Sequence, residues 1–308
     1  MNKLKRLDAV LKGRKPDRAP FCMWYHFGNQ HASGKKFAAI TLEWFEHYDF
    51  DFLKVMNDYY YPMPEGLEEV KSAEDLGRLK RFDPEKSDWK EQLKAIKLIG
   101  QALDGKAYFI DTLFDPWQCL LKSLAGEHLL DLAITEPEAL HQALDVVADN
   151  LISYSRKSLS LGASGIFLSM LTSQNTLDRE LFLTFAKPAA MKVLTAIKDL
   201  GWMNVAHLHG AGIYIDDLLD FPVQVLSWED RKPGNPSLAE VKGRWPGVVM
   251  GGVDIDQVLC VTPARCRENV REGIRLGGNT RFILANGCSI PTWMPPVAIE
   301  AMVETAKA

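Results

Sequence analysis

The sequence predicts an α/β fold with the architecture of a single (β/α)8 TIM barrel. Short runs of β-branched and aromatic residues alternate with amphipathic helical stretches along the 308 residues, a pattern typical of parallel α/β proteins. Eight such runs occur, and eight is the number of strands in this barrel. The composition, 47% hydrophobic and 25% charged, fits one large core, and no linker interrupts the alternation. We therefore expect residues 1–308 to form one domain.

Each predicted strand is a short apolar run bounded by polar residues or turn signals. The predicted strands are Ala19–His26, Asp51–Asp58, Ala107–Asp115, Gly165–Leu171, Asn204–His209, Val223–Glu229, Val248–Asp254 and Arg281–Cys288. A helix is predicted from Asp178 to about Leu200, and another begins at Thr262-Pro263 and ends before Gly277. The longest predicted helix, from Pro137 to about Leu161, carries apolar residues at helical spacing, namely Leu140, Leu144, Val147, Leu151 and Tyr154.

Two segments stand apart from the alternation. Residues 1–18 are predicted to form an N-terminal helix and turn, and residues 62–87, rich in Glu and Lys without a clear period, are predicted to form a lid insertion.

The net charge of −4 argues against a nucleic-acid partner, and no apolar run is long enough for a membrane span. Because the polar N-terminus is also unlike a signal peptide, we expect a cytoplasmic protein without a membrane partner.

Cysteine usage fits a reducing compartment. The chain has five cysteines, an odd number that argues against a disulfide framework. Cys260 and Cys266 lack the spacing of a metal-binding Cys-x-x-Cys motif, and we expect them to pack in the interior. Cys288 differs, because it is the last residue of the eighth predicted strand and therefore lies at the carboxyl end of that strand.

A metal site is indicated by His207, His209 and Cys288. On a strand, residues i and i+2 point to the same face, so both imidazoles project together. A thiolate added to two imidazole nitrogens suits zinc. The spacing alone equally allows two hydrogen-bonded histidines and an inert cysteine.

The barrel architecture strengthens this interpretation. Catalytic groups of (β/α)8 barrels lie at the carboxyl ends of the strands, and loops at the opposite end should otherwise be equally polar. Polar side chains follow most of the predicted strands at their carboxyl ends, namely His26, Asp58, Asp115, His207, His209, Glu229, Asp254 and Cys288.

Several segments give the chain a family resemblance that extends over nearly its whole length. These segments are Gly13–Pro20, which contains Pro16-Asp17-Arg18-Ala19-Pro20, and Tyr48–Asp51, Gly162–Ile166, Gly251–Asp254 and Ile283–Pro291. The chain resembles the uroporphyrinogen decarboxylase superfamily, in which a short helix leads through a Pro-Asp-Arg-x-Pro turn to the first strand. The resemblance implies the same barrel.

Within the superfamily, the decarboxylases have an arginine-rich stretch after the first strand that holds the carboxylates of a tetrapyrrole. Here the corresponding stretch, Cys22–Gln30, has no arginine, so a substrate with many acids has no counter-charge. The decarboxylases also have a histidine at the position of Cys288. Asp58 alone matches their catalytic aspartate.

The chain looks more similar to the zinc-dependent methyltransferases of the methylcobamide:coenzyme M type. Their pattern is His-x-Cys after the fifth strand, Cys after the eighth and, in several members, Glu near the end of the sixth. His207, Cys288 and Glu229 match, whereas His209 replaces the middle cysteine. Each thiolate exchanged for a neutral imidazole adds one positive charge, which strengthens the Lewis acid but weakens electron donation to a bound thiolate.

This resemblance implies Zn²⁺ held by His207, His209 and Cys288, with Glu229 as a fourth or exchangeable ligand. Asp58 and Glu229 are the predicted catalytic residues. The implied reaction moves a methyl group between a corrinoid and a small molecule, either a thiol or a methylated oxygen, nitrogen or sulfur compound. Because the chain has no Asp-x-His-x-x-Gly run, the methylcobalamin or other corrinoid must be carried by a partner protein. A homodimer is compatible with the sequence.

Substrate contacts are expected from aromatic and polar residues near the strand ends. Aromatic side chains offer apolar surfaces for a flat macrocycle or a methylated cation, and Tyr59, Tyr60 and Tyr61 form an unusual run. The predicted substrate-binding residues are Trp24, Tyr25, His26, Tyr59, Trp117, Gln174 and Asp254. The aromatic residues are also compatible with the top of the barrel core.

Two other functions stay open. A metal-independent decarboxylase or lyase acting on a small acid would use Asp58 to stabilise charge and His207 as acid or base. Alternatively, the irregular His209 is compatible with a non-catalytic accessory protein of a corrinoid system. Metal content separates the first of these from a zinc methyltransferase.

Overall fold

An eight-stranded parallel sheet organises the computed structural model, which describes residues 1–29, 31–256 and 261–308. Neighbouring strands follow the order β1-β8-β7-β6-β5-β4-β3-β2, so the sheet curls into the predicted TIM barrel. The strands are β1 Phe21–Cys22, β2 Phe52–Val55, β3 Tyr108–Phe114, β4 Gly165–Leu171, β5 Val205–His209, β6 Val225–Trp228, β7 Val248–Val253 and β8 Phe282–Asn286.

Helices connect successive strands and cover the outside of the barrel. The α-helices are α1 Lys3–Leu11, α2 Gly34–Tyr48, α3 Ala73–Leu76, α4 Lys90–Leu103, α5 Pro116–Cys119, α6 His128–Thr135, α7 Pro137–Ser160, α8 Arg179–Leu181, α9 Lys187–Ile197, α10 Leu238–Arg244, α11 Pro263–Gly277 and α12 Pro296–Lys307. Short π-helical turns, Leu120–Leu124 and Phe182–Ala186, extend α5 and join α8 to α9, and 3₁₀ turns occupy Pro84–Lys86 and Ile215–Asp217. Within the described residues, no helix is both long enough and apolar enough to cross a membrane.

The predicted helices are confirmed in position. Asp178 and Thr262 cap their helices with side-chain oxygens, as the sequence indicated. In α7 the apolar residues at helical spacing are all buried against the barrel, namely Leu140, Leu144, Val147, Leu151 and Tyr154. Hydrophobic periodicity therefore identified the face of this helix that contacts the core.

The predicted strands are confirmed in number and order, but most are shorter than expected. β4 has the predicted bounds, whereas β1 is only two residues long, Phe21–Cys22. Beyond Cys22, the backbone N–H and C=O of Trp24 bond to the Asn286 side chain, so a side chain replaces the strand ladder there. Glu229 and Cys288 were predicted as strand residues, yet both lie just beyond their strands, in the loops at the carboxyl end.

A charged network joins β1 to β2, where the barrel closes. Asp51 receives the backbone N–H of Phe21 at 2.8 Å, and its own N–H donates to the Phe21 carbonyl at 2.9 Å. Arg6 from α1 and Arg18 from the following turn both bind the Asp51 carboxylate, at 2.5 and 2.6 Å. Arg6 also makes a bidentate pair with Asp17. The N-terminal helix and the following turn therefore stabilise the junction between β1 and β2, which is the seam of the barrel.

Residues 62–87 pack beside the barrel instead of forming a regular element of it. Val70, Leu76 and Leu79 are buried, and the Val70 N–H donates to the carbonyl of Leu124 at 2.9 Å. The apolar contacts attach the segment to the region around α7. Its role as a lid stays a prediction.

No disulfide joins the described cysteines. Cys22, Cys119 and Cys266 are buried thiols, and Cys288 is partly buried. Cys260, expected to pack in the interior, lies outside the described residues, as does Gln30. The interior packing predicted for Cys266 is confirmed.

Candidate metal centre

The carboxyl ends of β5 and β8 bring His207, His209 and Cys288 together. His207 and His209 alternate along β5 as predicted and project from the same side of the strand. Cys288 arrives from the loop that follows β8, where Asn286 donates to the Cys288 carbonyl at 2.6 Å. His207 is almost fully buried, and the other two side chains are partly buried. The group therefore lies at the mouth of the barrel, within reach of a ligand.

The spacing of these three residues fits a zinc ion. One ligand atom from each residue lies within 4.8 Å of the others, and Cys288 Sγ is 3.6 Å from His209 Nδ1. Tetrahedral zinc, with bonds of about 2.3 Å to sulfur and about 2.0–2.1 Å to nitrogen, places those two ligand atoms roughly 3.5–3.6 Å apart. The Nδ1 atom of His207 lies 3.2 Å from the Ser227 hydroxyl, which leaves Nε2 for a metal.

The electrostatics keep both imidazoles neutral. Burial lowers the pKa of His207 far below its usual value, and the nearby His209 and Lys54 add to this effect. Burial also lowers the pKa of His209. For Cys288, burial and then the charge of Glu229 raise the thiol pKa. The histidines therefore present lone pairs, whereas the thiol must lose its proton when a metal binds.

Glu229, predicted as a ligand and as a catalytic residue, has a different partner in the structure. Both of its carboxylate oxygens lie 3.1 Å from Lys232 Nζ. Among the described residues, the group with converging ligand atoms contains His207, His209 and Cys288 without Glu229. The Glu229 carboxylate would have to come closer to these three residues to complete a metal site, so its ligand role stays a prediction.

Asp58 and His26, both predicted site residues, form one hydrogen-bonded pair. His26 Nδ1 is 2.8 Å from the Asp58 carboxylate, which also accepts the Asn29 N–H at 3.1 Å. Although burial alone would raise the pKa of Asp58, the bonds from His26 and Asn29 hold it below its usual value. Asp58 is therefore a fixed negative charge at the mouth.

A cavity of about 160 Å³ opens beside this pair. It is lined by residues that follow β1, β2 and β3, including His26, Asp58, Tyr59, Tyr60, Gln118 and Lys122. Tyr59 lines this cavity, and its hydroxyl donates to the Ala32 carbonyl, whereas its contact with substrate stays a prediction. Lys122, which sequence reasoning did not single out, places its ammonium 4.1 Å from the centre of the Phe114 ring.

The other predicted aromatic residues occupy separate places. Trp24 packs inside the barrel, edge-on to Phe167 at 5.7 Å. Tyr25 lies in an aromatic cluster with Phe27 and Trp44, at 4.8 Å from each. Trp117 is fully buried, with its ring 6.1 Å from that of Phe185. For Trp117, the alternative of barrel-top core describes the packing better than a pocket wall.

The two predicted polar contacts also lie apart from the cavity beside Asp58. The Gln174 side chain is exposed, and the Gln174 backbone N–H donates to the Gly212 carbonyl at 3.2 Å. Asp254 lines a different hollow together with Glu229 and Lys232. Asp254 therefore lines the same hollow as Glu229, which is another predicted site residue.

Lys54 is the most unusual residue that sequence reasoning missed. It lies on β2 and is only 4% exposed, with Nζ bonded to Thr112 Oγ1 and Met56 Sδ at 2.9 Å each. Burial lowers its pKa to about 7. The signal was present in Phe52-Leu53-Lys54-Val55-Met56, because a lone lysine in a strand that is apolar on both faces must be buried.

Lys54→Met is expected to stabilise the metal-free protein at pH 7, by on the order of 3 kcal/mol. Between pH 7 and 10.5, the unfolded lysine holds a proton that the folded protein has released, so wild-type stability rises with pH across this window. The advantage of the variant should therefore shrink as the pH approaches 10. Urea unfolding at pH 7 and pH 10 measures the difference in the free energy of unfolding between variant and wild type. Lys106→Met is the control, because Lys106 is exposed. An equal difference at both pH values would contradict the prediction.

Comparison with known proteins places the chain in a family. A sequence model described as "Uroporphyrinogen decarboxylase (URO-D)" matches residues 2–308. The methylcobamide:CoM methyltransferase MtbA of Methanosarcina mazei is 25% identical over 243 residues, which cover 77% of this chain and 69% of that protein. The uroporphyrinogen decarboxylase of Microcystis aeruginosa is 24% identical over 253 residues, with the same two shares of 77% and 69%.

Solved structures confirm the fold. A methyltransferase from Methanosarcina mazei superimposes with a TM-score of 0.83 at 18% identity, covering 100% of this chain and 98% of that one. A B12-independent methionine synthase from Shewanella gives 0.61 at 11% identity, with coverage of 95% and 94%. Together with the family match over residues 2–308, these results show that the chain belongs to the uroporphyrinogen decarboxylase family, which includes both methyltransferases and decarboxylases.

Proposed function

We propose that this protein is a zinc-dependent methyltransferase that moves a methyl group between a small substrate and a corrinoid carried by a separate protein. The observation that carries the proposal is the group His207, His209 and Cys288, whose sulfur–nitrogen distance of 3.6 Å fits tetrahedral zinc. The similarity to a methylcobamide:CoM methyltransferase supports the same reaction class.

The three side chains would hold zinc and leave one position open for the substrate. Bound zinc would supply a Lewis acid that polarises the reacting heteroatom of the substrate, or favours loss of a thiol proton. Ser227 orients His207 through Nδ1, and burial keeps both imidazoles neutral for binding.

The surrounding residues contribute charge and shape. Asp58, held by His26 and Asn29, keeps a negative charge beside the cavity, and Lys122 places a positive charge at the same cavity. A small substrate that carries both polar and apolar groups fits these walls. We propose that Asp58 orients the substrate, and that Glu229 either pairs with Lys232 or exchanges into the open metal position.

A metal-independent decarboxylase is the second candidate function, and one observation favours it. Asp58 is charged, buried and faces a cavity, as a residue that stabilises charge in a decarboxylation would be. The arginine-free stretch that begins at Cys22 argues against a substrate with many carboxylates, so a small acid would be required.

Metal analysis combined with a transfer assay distinguishes the two. We expect the purified protein to contain about one zinc per chain and to demethylate methylcobalamin, used as the probe, in the presence of a small thiol. Absorbance of the corrinoid reports the transfer. Full methyl transfer after chelation would rule out the zinc mechanism. A zinc-free protein that transfers no methyl group but releases CO₂ from a small carboxylic acid would favour a decarboxylase.

Ser227→Ala is expected to weaken zinc binding about tenfold, because the ring of His207 loses the bond that fixes its orientation. Competition with a chromogenic chelator measures the dissociation constant. Ser169 lies level with His207 on the neighbouring strand β4, so Ser169→Ala is the matched control and should leave zinc affinity nearly unchanged. Equal effects of the two substitutions would contradict the orienting role of Ser227.

A further inference from the structure

Lys54 places a positive charge inside the barrel in a cage of neutral groups. Its ammonium donates to Thr112 Oγ1 and Met56 Sδ, and it lies 4.2 Å from the centre of the Phe167 ring and 5.0 Å from that of Trp24. These hydrogen-bond and ring contacts are all to uncharged groups. Such a cage satisfies a cation through lone pairs and ring faces instead of through an opposite charge.

The cage fits the charged form of the lysine. The Thr112 hydroxyl donates its own proton to the Val55 carbonyl at 2.6 Å, so its oxygen can only accept from Lys54. The thioether of Met56 and the two ring faces are acceptors as well. A neutral amine could make the same donor bonds, but its lone pair would have no donor among these four groups.

No carboxylate among the described residues lies within salt-bridge distance, 4.0 Å, of the Lys54 ammonium. The nearby carboxylates have other partners. Asp58 bonds to His26, and Asp111 is held by Tyr154 and Ser158 on the other side of the strand layer. Burying a cation without a counter-charge is costly, so burial lowers the pKa of Lys54 to about 7, and a bound anion would favour its protonated form.

Phe167 connects this cation to the candidate metal centre. Its ring contacts the Lys54 ammonium and stacks on the His207 ring, with centroids 5.0 Å apart and planes inclined by 26°. By register, Phe167 is level with Val205, two residues deeper in the barrel than His207. Lys54 thus lies beneath His207, with the Phe167 ring between the ammonium and the imidazole.

We propose that Lys54 is a positioning residue whose ammonium, beneath His207, His209 and Cys288, selects an anionic ligand, such as a thiolate, over a neutral ligand at the open metal position. This inference rests on the proposed zinc site. His209 acts in the same direction, because an imidazole at the position of a thiolate leaves the centre one charge more positive. A fixed positive charge opposes the metal ion but attracts the anion that joins it.

The test measures cation and anion binding separately in Lys54→Met, which nearly keeps the side-chain length. All measurements are made at pH 6, where Lys54 is mostly protonated and the substitution removes a charge. In the metal-free protein, we expect zinc to bind about tenfold more tightly, because a like charge has been removed. In the Co²⁺-substituted protein, 2-mercaptoethanol should bind about tenfold more weakly, as followed by the visible absorption of cobalt. Dimethyl sulfide, which cannot ionise, should bind with unchanged affinity.

Two control variants separate charge from packing. Lys54→Arg keeps the cation and should preserve the preference for the thiol over the thioether. Thr112→Val removes one hydrogen bond but keeps the charge, and it should also preserve that preference. If Lys54→Met weakens zinc and thiol binding together, or changes neither, the inference is wrong. If the wild-type protein binds neither zinc nor cobalt, the proposed function fails and this inference fails with it.

Discussion

Replacing Cys288 with alanine is expected to remove the metal and to lower methyl transfer about 10³-fold. Cys288 is the sole thiolate donor in the group of three ligand residues, and its sulfur lies 3.6 Å from His209 Nδ1. Two neutral imidazoles without the thiolate bind zinc weakly, because the anionic ligand supplies much of the attraction. A metal acting as Lewis acid contributes several kcal/mol to such a reaction, which corresponds to this loss of rate.

The measurement pairs zinc content with the rate of methylcobalamin demethylation. Cys266→Ala is the matched control, because Cys266 is a buried thiol in the first turn of α11 and does not belong to the group of converging ligand atoms. It should retain zinc and activity. Cys288→Ser, with a weaker hard-oxygen ligand, should keep part of the metal at a reduced affinity. A zinc-free but fully active Cys288→Ala variant would refute the proposed mechanism.

The barrel and the convergence of His207, His209 and Cys288 follow from local rules that operate directly on the sequence. A strand of period two forces His207 and His209 to one side, and a barrel brings the carboxyl ends of all strands to one mouth. Cys288 needed only to follow the eighth strand closely, so an error of two residues in the end of β8 did not matter. Geometry imposed by secondary structure is thus readable in advance.

The partners of charged side chains could not be predicted from strand periodicity or barrel geometry. Glu229 pairs with Lys232, three residues ahead, because the loop after β6 folds back, and no periodic pattern describes that loop. Lys54 was overlooked since a lysine is usually exposed, although its position within an apolar strand predicted otherwise. Trp117 lies near the mouth in sequence, but its ring turns toward Phe185, and the direction of a side chain in a helical turn depends on packing.

Replacing Asp51 with alanine is expected to reduce the free energy of unfolding by about 3–5 kcal/mol. Asp51 is 2% exposed and accepts hydrogen bonds from Arg6, Arg18 and the Phe21 N–H, so its loss leaves buried donors without an acceptor. It also loosens the junction of β1 with β2, where β1 is only two residues long and has little ladder of its own. Urea unfolding, followed by circular dichroism, gives the change.

Asp17→Ala provides the control, because Asp17 binds the same Arg6 guanidinium but its side chain is 38% exposed. A partly exposed ion pair contributes about 1 kcal/mol or less, so this variant should remain close to wild type. Asp51→Asn should fall between the two, since the amide oxygen can still accept the Phe21 N–H while the charge is lost. If Asp51→Ala and Asp17→Ala destabilise the protein equally, the seam depends on the N-terminal helix as a whole and not on the buried carboxylate. If neither variant is destabilised, the charged network does not hold the barrel closed, and the short β1 is held by its apolar contacts alone.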